Sequence, residues 1–374
     1  MTRNLTPFLR PLLLSATFAL AALAVAPGCS SDSDGGGSGG AAGTGGAGGG
    51  GSACTPTAAE CYLDGTAGPG AACLARHDNT GQPTVQLRVS QMAVDSPTVL
   101  ASPFMQDAII TKKVNFNQPT CNQNGNGQFN ILLEFDPASK ELTVGTAVPH
   151  ALIGSGTDPK ADGACFTTAT DPGSGIQIEP VKAIATVDGQ KITASFDRLV
   201  LPVYLEDKDS NYVLLPLNKV VLSFTLSEDS NCVGRYKTES LQPETSCAPP
   251  LGEFAWENGG TLDAYITAVE AESVQVVSLG QTLCVVLSGD SAKWGGTPGY
   301  ACDVNDPSKL CKGCAYADVN LGTNGQPKPA GELVYPDGDW CAATNAAATA
   351  TCKDAFHLVT GIAASAIRIN PTCD

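Results

Sequence analysis

The segment Ile176–Leu199, IQIEPVKAIATVDGQKITASFDRL, decides the fold class. Two runs rich in strand-forming residues flank Asp188-Gly189, a dipeptide typical of two-residue hairpin turns. After the turn, apolar and polar residues alternate, which is the period of a strand with one buried face. The segment therefore predicts a β-hairpin formed by Ile176–Val187 and Lys191–Leu199.

The sequence on both sides of this hairpin follows the same pattern. Short strand candidates alternate with turn residues, and no long stretch shows the 3.6-residue period of a helix. This spacing favours a mainly β body, an antiparallel sandwich or jelly roll. Pro202 and Pro216 indicate edges or bulges in the sheet. The further strand candidates are Val85–Met92, Phe129–Asp136, Lys140–Val148, Val203–Glu206, Tyr212–Leu215 and Lys219–Leu226.

From about Pro249 the pattern becomes a disulfide-rich mixture of α and β. Thr267 and Glu270 have the spacing of a capping box, which predicts a short helix. Asp339 is expected to cap an Ala-rich helix over Trp340–Ala350. The predicted strands are Thr261–Ile266, the buried Thr282–Ser288 and a final pair within Phe356–Ile369.

These patterns divide the folded part of the chain into a β-rich domain, residues 54–248, and a mixed part, residues 249–374. The last predicted strand could instead return to the first sheet, because sheets often recruit strands from distant parts of a chain. In that case the two parts form one domain. Both arrangements are compatible with the length that follows the first 53 residues.

The first residues of the chain have the features of a secretory signal. Arg3 and Arg10 supply positive charge, and Leu12–Ala26 is almost purely apolar but shorter than the roughly 20 residues that span a membrane. The tetrad Ala26-Pro27-Gly28-Cys29 follows. It resembles the lipobox of bacterial lipoproteins. The resemblance implies that residues 1–28 are a signal peptide and that Cys29 carries a lipid anchor.

The segment that follows, Ser30–Ala53, is rich in glycine and has no apolar side chain larger than alanine. It cannot bury enough surface to offset its conformational entropy, so we expect residues 29–53 to be a lipidated cysteine and a flexible linker. A Gly-rich spacer after a lipobox is similar to those of uncharacterised myxobacterial lipoproteins. With Ser30 rather than Asp after the cysteine, the resemblance implies an outer-membrane lipoprotein of a Gram-negative cell, facing the periplasm or the cell surface.

The formal net charge of the chain is −16, and loss of Arg3 and Arg10 with the signal peptide would make it −18. An acidic protein is unsuited to nucleic acid, because that binding requires a basic surface. The expected contact with the membrane is therefore through the lipid anchor. A protein or glycan partner remains open.

Of the fifteen cysteines, setting aside Cys29 leaves fourteen, an even number that predicts structural disulfide bonds in an exported chain. Short separations favour Cys121–Cys165, Cys232–Cys247 and Cys341–Cys352, with Cys73 bonded to Cys54 or Cys61. The complete set of candidates is Cys54, Cys61, Cys73, Cys121, Cys165, Cys232, Cys247, Cys284, Cys302, Cys311, Cys314, Cys341, Cys352 and Cys373.

Cys311 and Cys314 form a CxxC motif, whose alternatives are a redox site and a zinc site. A loop precedes the motif, and Gly313 disfavours the helix that a redox site needs. A zinc site would need a second cysteine pair at similar spacing. Structural disulfide bonds are therefore the favoured interpretation.

No residue pattern predicts a catalytic centre, a metal site or a cofactor. The histidines, His77, His150 and His357, are far apart in the sequence, and none lies in a metal-binding or triad motif. Asp207–Asn211 begins like a calcium loop, but Tyr212 stands where glycine should turn it. A hairpin tip is the simpler interpretation of that segment.

The loop Trp294–Tyr300, WGGTPGY, carries two aromatic residues among glycine and proline. Trp294 and Tyr300 are candidate ligand contacts, because aromatic side chains on loops can stack on sugars. The same side chains could instead be buried anchors of the loop. The sequence does not decide between these two roles.

The anchor, the linker and the cysteines favour a non-enzymatic cell-envelope module with a binding or structural role. The alternative is a hydrolase that acts on envelope or extracellular polymers. Its paired carboxylates would be distant in sequence and converge only in the fold, about 5–9 Å apart. The absence of a recognisable catalytic motif favours the non-enzymatic module over the hydrolase.

Overall fold

The computed structural model divides the chain into two units, Met1–Ala53 and Cys54–Asp374. The structure describes residues within the second unit. These are residues 73–111, 130–148, 162–172, 174–204, 212–237, 252–276, 281–288, 328–329, 331–332, 334–335 and 338–372.

The described residues are mainly strands, which confirms the predicted fold class. The strands are β1 (Val85–Ser96), β2 (Asn130–Asp136), β3 (Glu141–Ala147), β4 (Ala164–Cys165), β5 (Ala169–Thr170), β6 (Gln177–Ile178), β7 (Val181–Ile184), β8 (Thr186–Asp188), β9 (Lys191–Tyr204), β10 (Tyr212–Thr225), β11 (Cys232–Val233), β12 (Arg235–Tyr236), β13 (Trp256–Glu257), β14 (Gly260–Thr267), β15 (Gln275–Val276), β16 (Gln281–Thr282), β17 (Trp340–Cys341), β18 (Ala346–Ala347), β19 (Ala355–Ala366) and β20 (Ile369–Asn370).

Helices in the described residues are short. They are α1 (Pro103–Met105), which continues into a π-helical segment (Gln106–Thr111), α2 (Ala268–Ser273) and α3 (Leu283–Ser288). The capping box predicted for α2 is present, since Thr267 Oγ1 accepts a hydrogen bond from the Glu270 backbone N–H at 3.2 Å. Within these parts of the chain, no helix has the length and apolarity needed to cross a membrane.

One large antiparallel sheet dominates the described structure. Its strand order is β7-β3-β2-β1-β19-β14-β10-β9-β8, with β11, β17 and β18 attached at β19. The two end strands, β7 and β8, are consecutive in the chain and are separated only by the buried Ala185. The same short segment therefore pairs with β3 on one side and β9 on the other, so the sheet nearly closes on itself around one main core.

The predicted Asp188-Gly189 hairpin is present between β8 and β9, and Gly189 has the positive φ of +59° that such a turn requires. The strands around it are longer or shorter than predicted. Ile176–Val187 is divided among β6, β7 and β8, while β9 and β10 are continuous strands that pair over their whole length. Pro202 lies in the part of β9 that β8 does not pair, as expected for proline at an edge.

Strand β19 lies between β1 and β14, so the large sheet contains strands from both sides of residue 249. The prediction of a strand pair within Phe356–Ile369 was wrong, because Ala355–Ala366 is a single strand. Gly361 pairs with Ala93 of β1 and with Thr261 of β14, so the chain continues there as one strand and passes under the Asn258 side chain. A Cβ at Gly361 would lie 2.2 Å from Asn258 Nδ2, so any larger residue here would have to displace the Asn258 side chain.

Two further local predictions were wrong. Thr282–Ser288 is not a strand: its last six residues form α3, where Thr282 Oγ1 accepts from the Val285 N–H at 3.3 Å and Leu287 packs in the core. Trp340–Ala350 is not a helix. Trp340–Cys341 and Ala346–Ala347 pair as a hairpin, and tertiary contacts override the helix propensity of alanine.

Two disulfide bonds are described in full. The predicted Cys341–Cys352 bond is confirmed and closes the base of the β17–β18 hairpin. The other bond joins Cys73 to Cys232, which are separated by 159 residues, so the predicted pairs Cys54/Cys61–Cys73 and Cys232–Cys247 were wrong. Short separation misled the prediction, because the sheet brings distant segments together. Cys165 and Cys284 are also disulfide-bonded.

Side-chain carboxamides of β1 bind the backbones of neighbouring segments. Gln91 donates to the Trp256 backbone oxygen at 3.1 Å and accepts from the Trp256 backbone nitrogen at 3.1 Å. Gln86 makes the same two-bond contact with the backbone of Ile369. Each carboxamide therefore replaces one peptide group of a neighbouring strand and satisfies backbone groups that would be costly to bury unpaired.

Candidate functional site

The solvent-facing side of β9, β10, β14 and β19 forms a largely polar surface, which we call the outer face. It comprises Thr193, Ser195, Val221, Ser223, Thr261, Asp263 and His357. The intervening residues of β9, such as Ile192 and Phe196, point into the core. The outer face therefore follows from the two-residue period of these strands.

The strand register aligns the residues of the outer face in rows across the sheet. Thr193 is opposite Ser223, and Ser223 is opposite Thr261. The hydroxyl groups of Thr193 and Ser223 are 2.9 Å apart and hydrogen-bonded. In the next row, Val221 is opposite Asp263 on β14. Val221 is 39% exposed and is an apolar residue at the middle of a polar surface.

Asp263 and His357 form a hydrogen-bonded pair on the outer face. The Asp263 Oδ1 atom is 3.0 Å from His357 Nε2. The side chain of His357 is 20% exposed, whereas that of Asp263 is 52% exposed. The pair presents a carboxylate to solvent while the imidazole is largely covered.

The β17–β18 hairpin provides the cover over His357. The Trp340 indole stacks on the imidazole with 3.8 Å between ring centroids. Asp339 Oδ1 accepts a hydrogen bond of 2.7 Å from the His357 backbone N–H. Trp340 Nε1 also donates to Asn345 Oδ1 at 3.1 Å. These contacts and the Cys341–Cys352 bond hold the hairpin against the sheet.

A charged cluster lies at one end of the outer face. Glu270 of α2 accepts hydrogen bonds from Arg198 of β9, from Asn218 Nδ2 at 2.6 Å and from Thr267 Oγ1 at 2.7 Å. Burial acts most strongly on Glu270 and raises its pKa, but these three donors together outweigh it and hold the pKa below its usual value. Glu270 therefore ties α2 to the sheet as a carboxylate.

The Asp263–His357 pair has part of the chemistry of a general base, because a carboxylate can orient an imidazole. As a general base, His357 would have to activate a nucleophile. Within the described residues, no hydroxyl or thiol group is hydrogen-bonded to the His357 ring. The side chains of the outer face can donate and accept hydrogen bonds, and several of them are held in fixed positions by hydrogen bonds. These are the properties of a recognition surface.

Potential metal ligands come together at one place in the described ranges. Cys341, Cys352 and Asp354 have side-chain ligand atoms within 4.8 Å of one another. The two sulfur atoms are bonded to each other, so they offer no thiolate. Asp354 Oδ1 instead accepts a hydrogen bond of 2.8 Å from the Ala342 N–H. Cys341, Cys352 and Asp354 therefore stabilise the β17–β18 hairpin.

Most residues singled out from the sequence lie outside the described residues. Of the three histidines, His77 is half-buried just before β1, His357 lies on the outer face and His150 is not described. The other predicted site residues and segments outside the described ranges are Cys29, Cys54, Cys61, Cys121, Cys247, Asp207–Asn211, Trp294, Tyr300, Cys302, Cys311, Cys314 and Cys373.

Sequence reasoning missed the contacts of His357. The alternation of Thr261-Leu-Asp-Ala-Tyr265 indicates that Asp263 points out of its strand. Its histidine partner is 94 residues away, and only the pairing of β14 with β19 brings them together. Comparison with known proteins found no family model that matches the chain, and no curated protein or solved structure that matches it.

Proposed function

We propose that the protein is a cell-envelope lipoprotein whose folded part is a non-enzymatic binding module. The signal peptide, the lipidated Cys29 and the linker would place this part outside the cytoplasm, at the outer membrane. The disulfide bonds of the described residues support the proposal, because such bonds persist in oxidising compartments.

The main support for the proposed binding role is the composition of the outer face. Four long strands hold its side chains, and hydrogen bonds fix several of them in place. An exposed apolar residue, Val221, lies among polar neighbours. A central apolar contact with a polar surround is the usual composition of a protein recognition surface.

The charges of the outer face and of the whole chain indicate which class of partner could bind. The basic groups Arg198 and Lys219 are paired with Glu270 and Asp197. The chain as a whole is acidic, with a formal charge of −16. A partner with many phosphates is therefore disfavoured, and an uncharged glycan or a protein surface fits better.

Two matched variants test the use of the outer face. Val221→Arg places a large charged side chain at its centre, whereas Ile184→Arg changes a more exposed apolar residue on β7, away from the outer face. Both purified proteins would be used to capture ligands from a solubilised envelope fraction and on a glycan array. We expect Val221→Arg to lose a ligand that the wild type and Ile184→Arg retain. Equal capture by both variants would exclude the outer face as the binding surface.

A hydrolase acting on envelope or extracellular polymers is the second candidate function. The Asp263–His357 pair is the observation that favours it. Incubation with purified peptidoglycan and neutral polysaccharides, followed by chromatography of soluble products, tests this activity. Products released by the wild type but not by His357→Ala would replace the binding module with an enzyme.

Membrane anchoring has its own test. Cys29→Ser removes the thiol that would carry the lipid, and membrane fractionation of expressing cells measures the result. We expect the wild type in the membrane fraction and the variant in the soluble fraction. A Cys29→Ser protein that still fractionates with membranes would contradict the anchor.

A further inference from the structure

Two carboxylates and a partly exposed indole converge on His357. The Trp340 ring stacks on the imidazole and is itself half-buried. Asp263 Oδ1 lies 3.0 Å from Nε2 of that imidazole, and Asp339 Oδ1 accepts from the His357 backbone N–H at 2.7 Å. We call Asp263, Asp339 and Trp340 the acidic platform.

The acidic platform presents negative charge to solvent. The side chain of Asp263 is 52% exposed, and Asp339 is also exposed. The partner of Asp339 is a backbone N–H, which carries no formal charge, and the His357 ring compensates Asp263 only when it is protonated. A ligand that approaches the indole therefore meets both carboxylates.

Basic side chains of the neighbouring strands do not cancel this charge. Arg198 and Lys219 each form an ion pair with a carboxylate outside the acidic platform. Lys191 is opposite Thr225, which is four residues along β10 from Val221, or about 13 Å. Salt screens exposed charges beyond about 10 Å, so Lys191 has little effect at the platform.

We infer, building on the proposed binding role of the outer face, that its partner is a basic segment of a protein, with a lysine or arginine side chain on the acidic platform. Carboxylates attract such a cation, and so does the face of an indole, the strongest of the aromatic rings in this respect. The formal charge of −16 on the whole chain attracts the same partner from a longer distance.

Val221 provides an apolar contact beside the acidic platform. It is directly opposite Asp263, and opposite residues of an antiparallel pair have Cβ atoms about 5 Å apart. A partner segment with an apolar residue next to its basic residue would cover both. A second copy of this acidic chain fits poorly, because like charges that meet across an interface repel each other.

The test uses a labelled peptide of alternating lysine and valine residues, and the same peptide with glutamate in place of lysine. Fluorescence anisotropy with the full chain measures the Kd at low and at high salt. Asp263→Asn/Asp339→Asn removes both charges of the platform, while each asparagine oxygen can still accept a hydrogen bond. Asp188→Asn/Glu179→Gln removes two charges from exposed residues outside the outer face, so it controls for net charge.

We expect the lysine peptide to bind the wild type and the control variant with similar Kd, and the Asp263→Asn/Asp339→Asn protein about tenfold more weakly. This difference should shrink at high salt. The glutamate peptide should not bind. The inference is overturned if both double variants lose affinity equally, or if the lysine peptide binds the wild type no better than the glutamate peptide does.

Trp340→Phe is a second variant that leaves both carboxylates in place. Phenylalanine keeps an aromatic ring next to His357 but attracts a cation less strongly than tryptophan does. The lysine peptide should therefore bind this variant about twofold more weakly at low and at high salt. An unchanged Kd would contradict a contact between the cation and the indole.

Ligand capture separates this inference from the binding role on which it rests. A ligand retained by the wild type and by Asp263→Asn/Asp339→Asn, but lost by Val221→Arg, would keep the outer face as a binding surface and overturn a basic partner. An uncharged glycan would give this result. A ligand retained by all three proteins would exclude the outer face altogether.

Discussion

The imidazole of His357 lies nearly parallel to the indole of Trp340, with 16° between the ring planes and 3.8 Å between the centroids. A stacked aromatic pair contributes about 0.5–1.5 kcal/mol beyond the area that it buries. We therefore expect a double-mutant cycle of His357→Ala and Trp340→Leu to show a coupling of about 1 kcal/mol in the free energy of unfolding. Urea denaturation of the wild type, the two single variants and the double variant measures this coupling energy.

The same cycle with His357→Gln separates stacking from hydrogen bonding. Glutamine can donate to Asp263, but its side chain has no aromatic ring. If stacking is the source of the coupling, the cycle with glutamine should therefore show the same value of about 1 kcal/mol as the cycle with alanine. A coupling of zero in the His357→Ala cycle would show that the hairpin is held by its other contacts alone.

Gly234→Ala should destabilise the fold much more than Gly189→Ala. Both glycines have a positive φ, so alanine costs about 1–2 kcal/mol of backbone strain at either position. A Cβ at Gly234 would also lie 2.1 Å from the Glu257 carbonyl oxygen, whereas a Cβ at Gly189 has no atom within 4 Å.

We expect Gly189→Ala to lower the free energy of unfolding by about 1 kcal/mol and Gly234→Ala to lower it by at least twice as much. Thermal and urea unfolding provide the comparison. Equal losses would contradict the close approach of the Gly234 and Glu257 backbones.

The two described disulfide bonds should differ in their contribution to stability. In the chain-entropy relation, the Cys73–Cys232 bond contributes about 5 kcal/mol and the Cys341–Cys352 bond about 3 kcal/mol, because they close loops of very different length. Replacing each pair by serine and measuring unfolding under oxidising conditions tests this order. A larger loss for the short loop would show that packing of the hairpin outweighs chain entropy.

Glu270 should make the stability depend on pH in the acid range. Its folded pKa lies below the usual value of 4.5, so its contribution is present above about pH 4.5 and is lost as the pH falls through the folded pKa. Glu270→Gln should lower the free energy of unfolding by about 1 kcal/mol at pH 7 and flatten the loss of stability below about pH 4.5.

Urea midpoints measured across this pH range would show the difference. Asp197→Asn is the control, because its ion pair with Lys219 is exposed. If the slope for Glu270→Gln equals that of the wild type, other carboxylates determine the acid sensitivity.

Local signals in the sequence predicted local structure well. The Asp188-Gly189 turn, the β2–β3 hairpin and the Thr267 cap each depend on residues a few positions apart, and each is present. The prediction of a strand at Thr282–Ser288 was wrong because a short apolar run fits a strand and a buried helix equally well. The packing of the run against the core decides between the two.

Pairings between distant segments were not accessible from local patterns. Cys73 meets Cys232, and Asp263 meets His357, only because the sheet order brings their strands or loops together. A two-residue period indicates which side of a strand is buried, but not which strand lies beside it. The polar side of β14 was therefore predictable, while the histidine that completes the pair was not.

The central position of β19 has a consequence for biosynthesis. Strands β1 and β14 come earlier in the chain, yet their common neighbour, Ala355–Ala366, is made after both. Contacts that span so much sequence form slowly. The large sheet can therefore be completed only after this late segment has been made, and until then β1 and β14 lack the neighbour that they share.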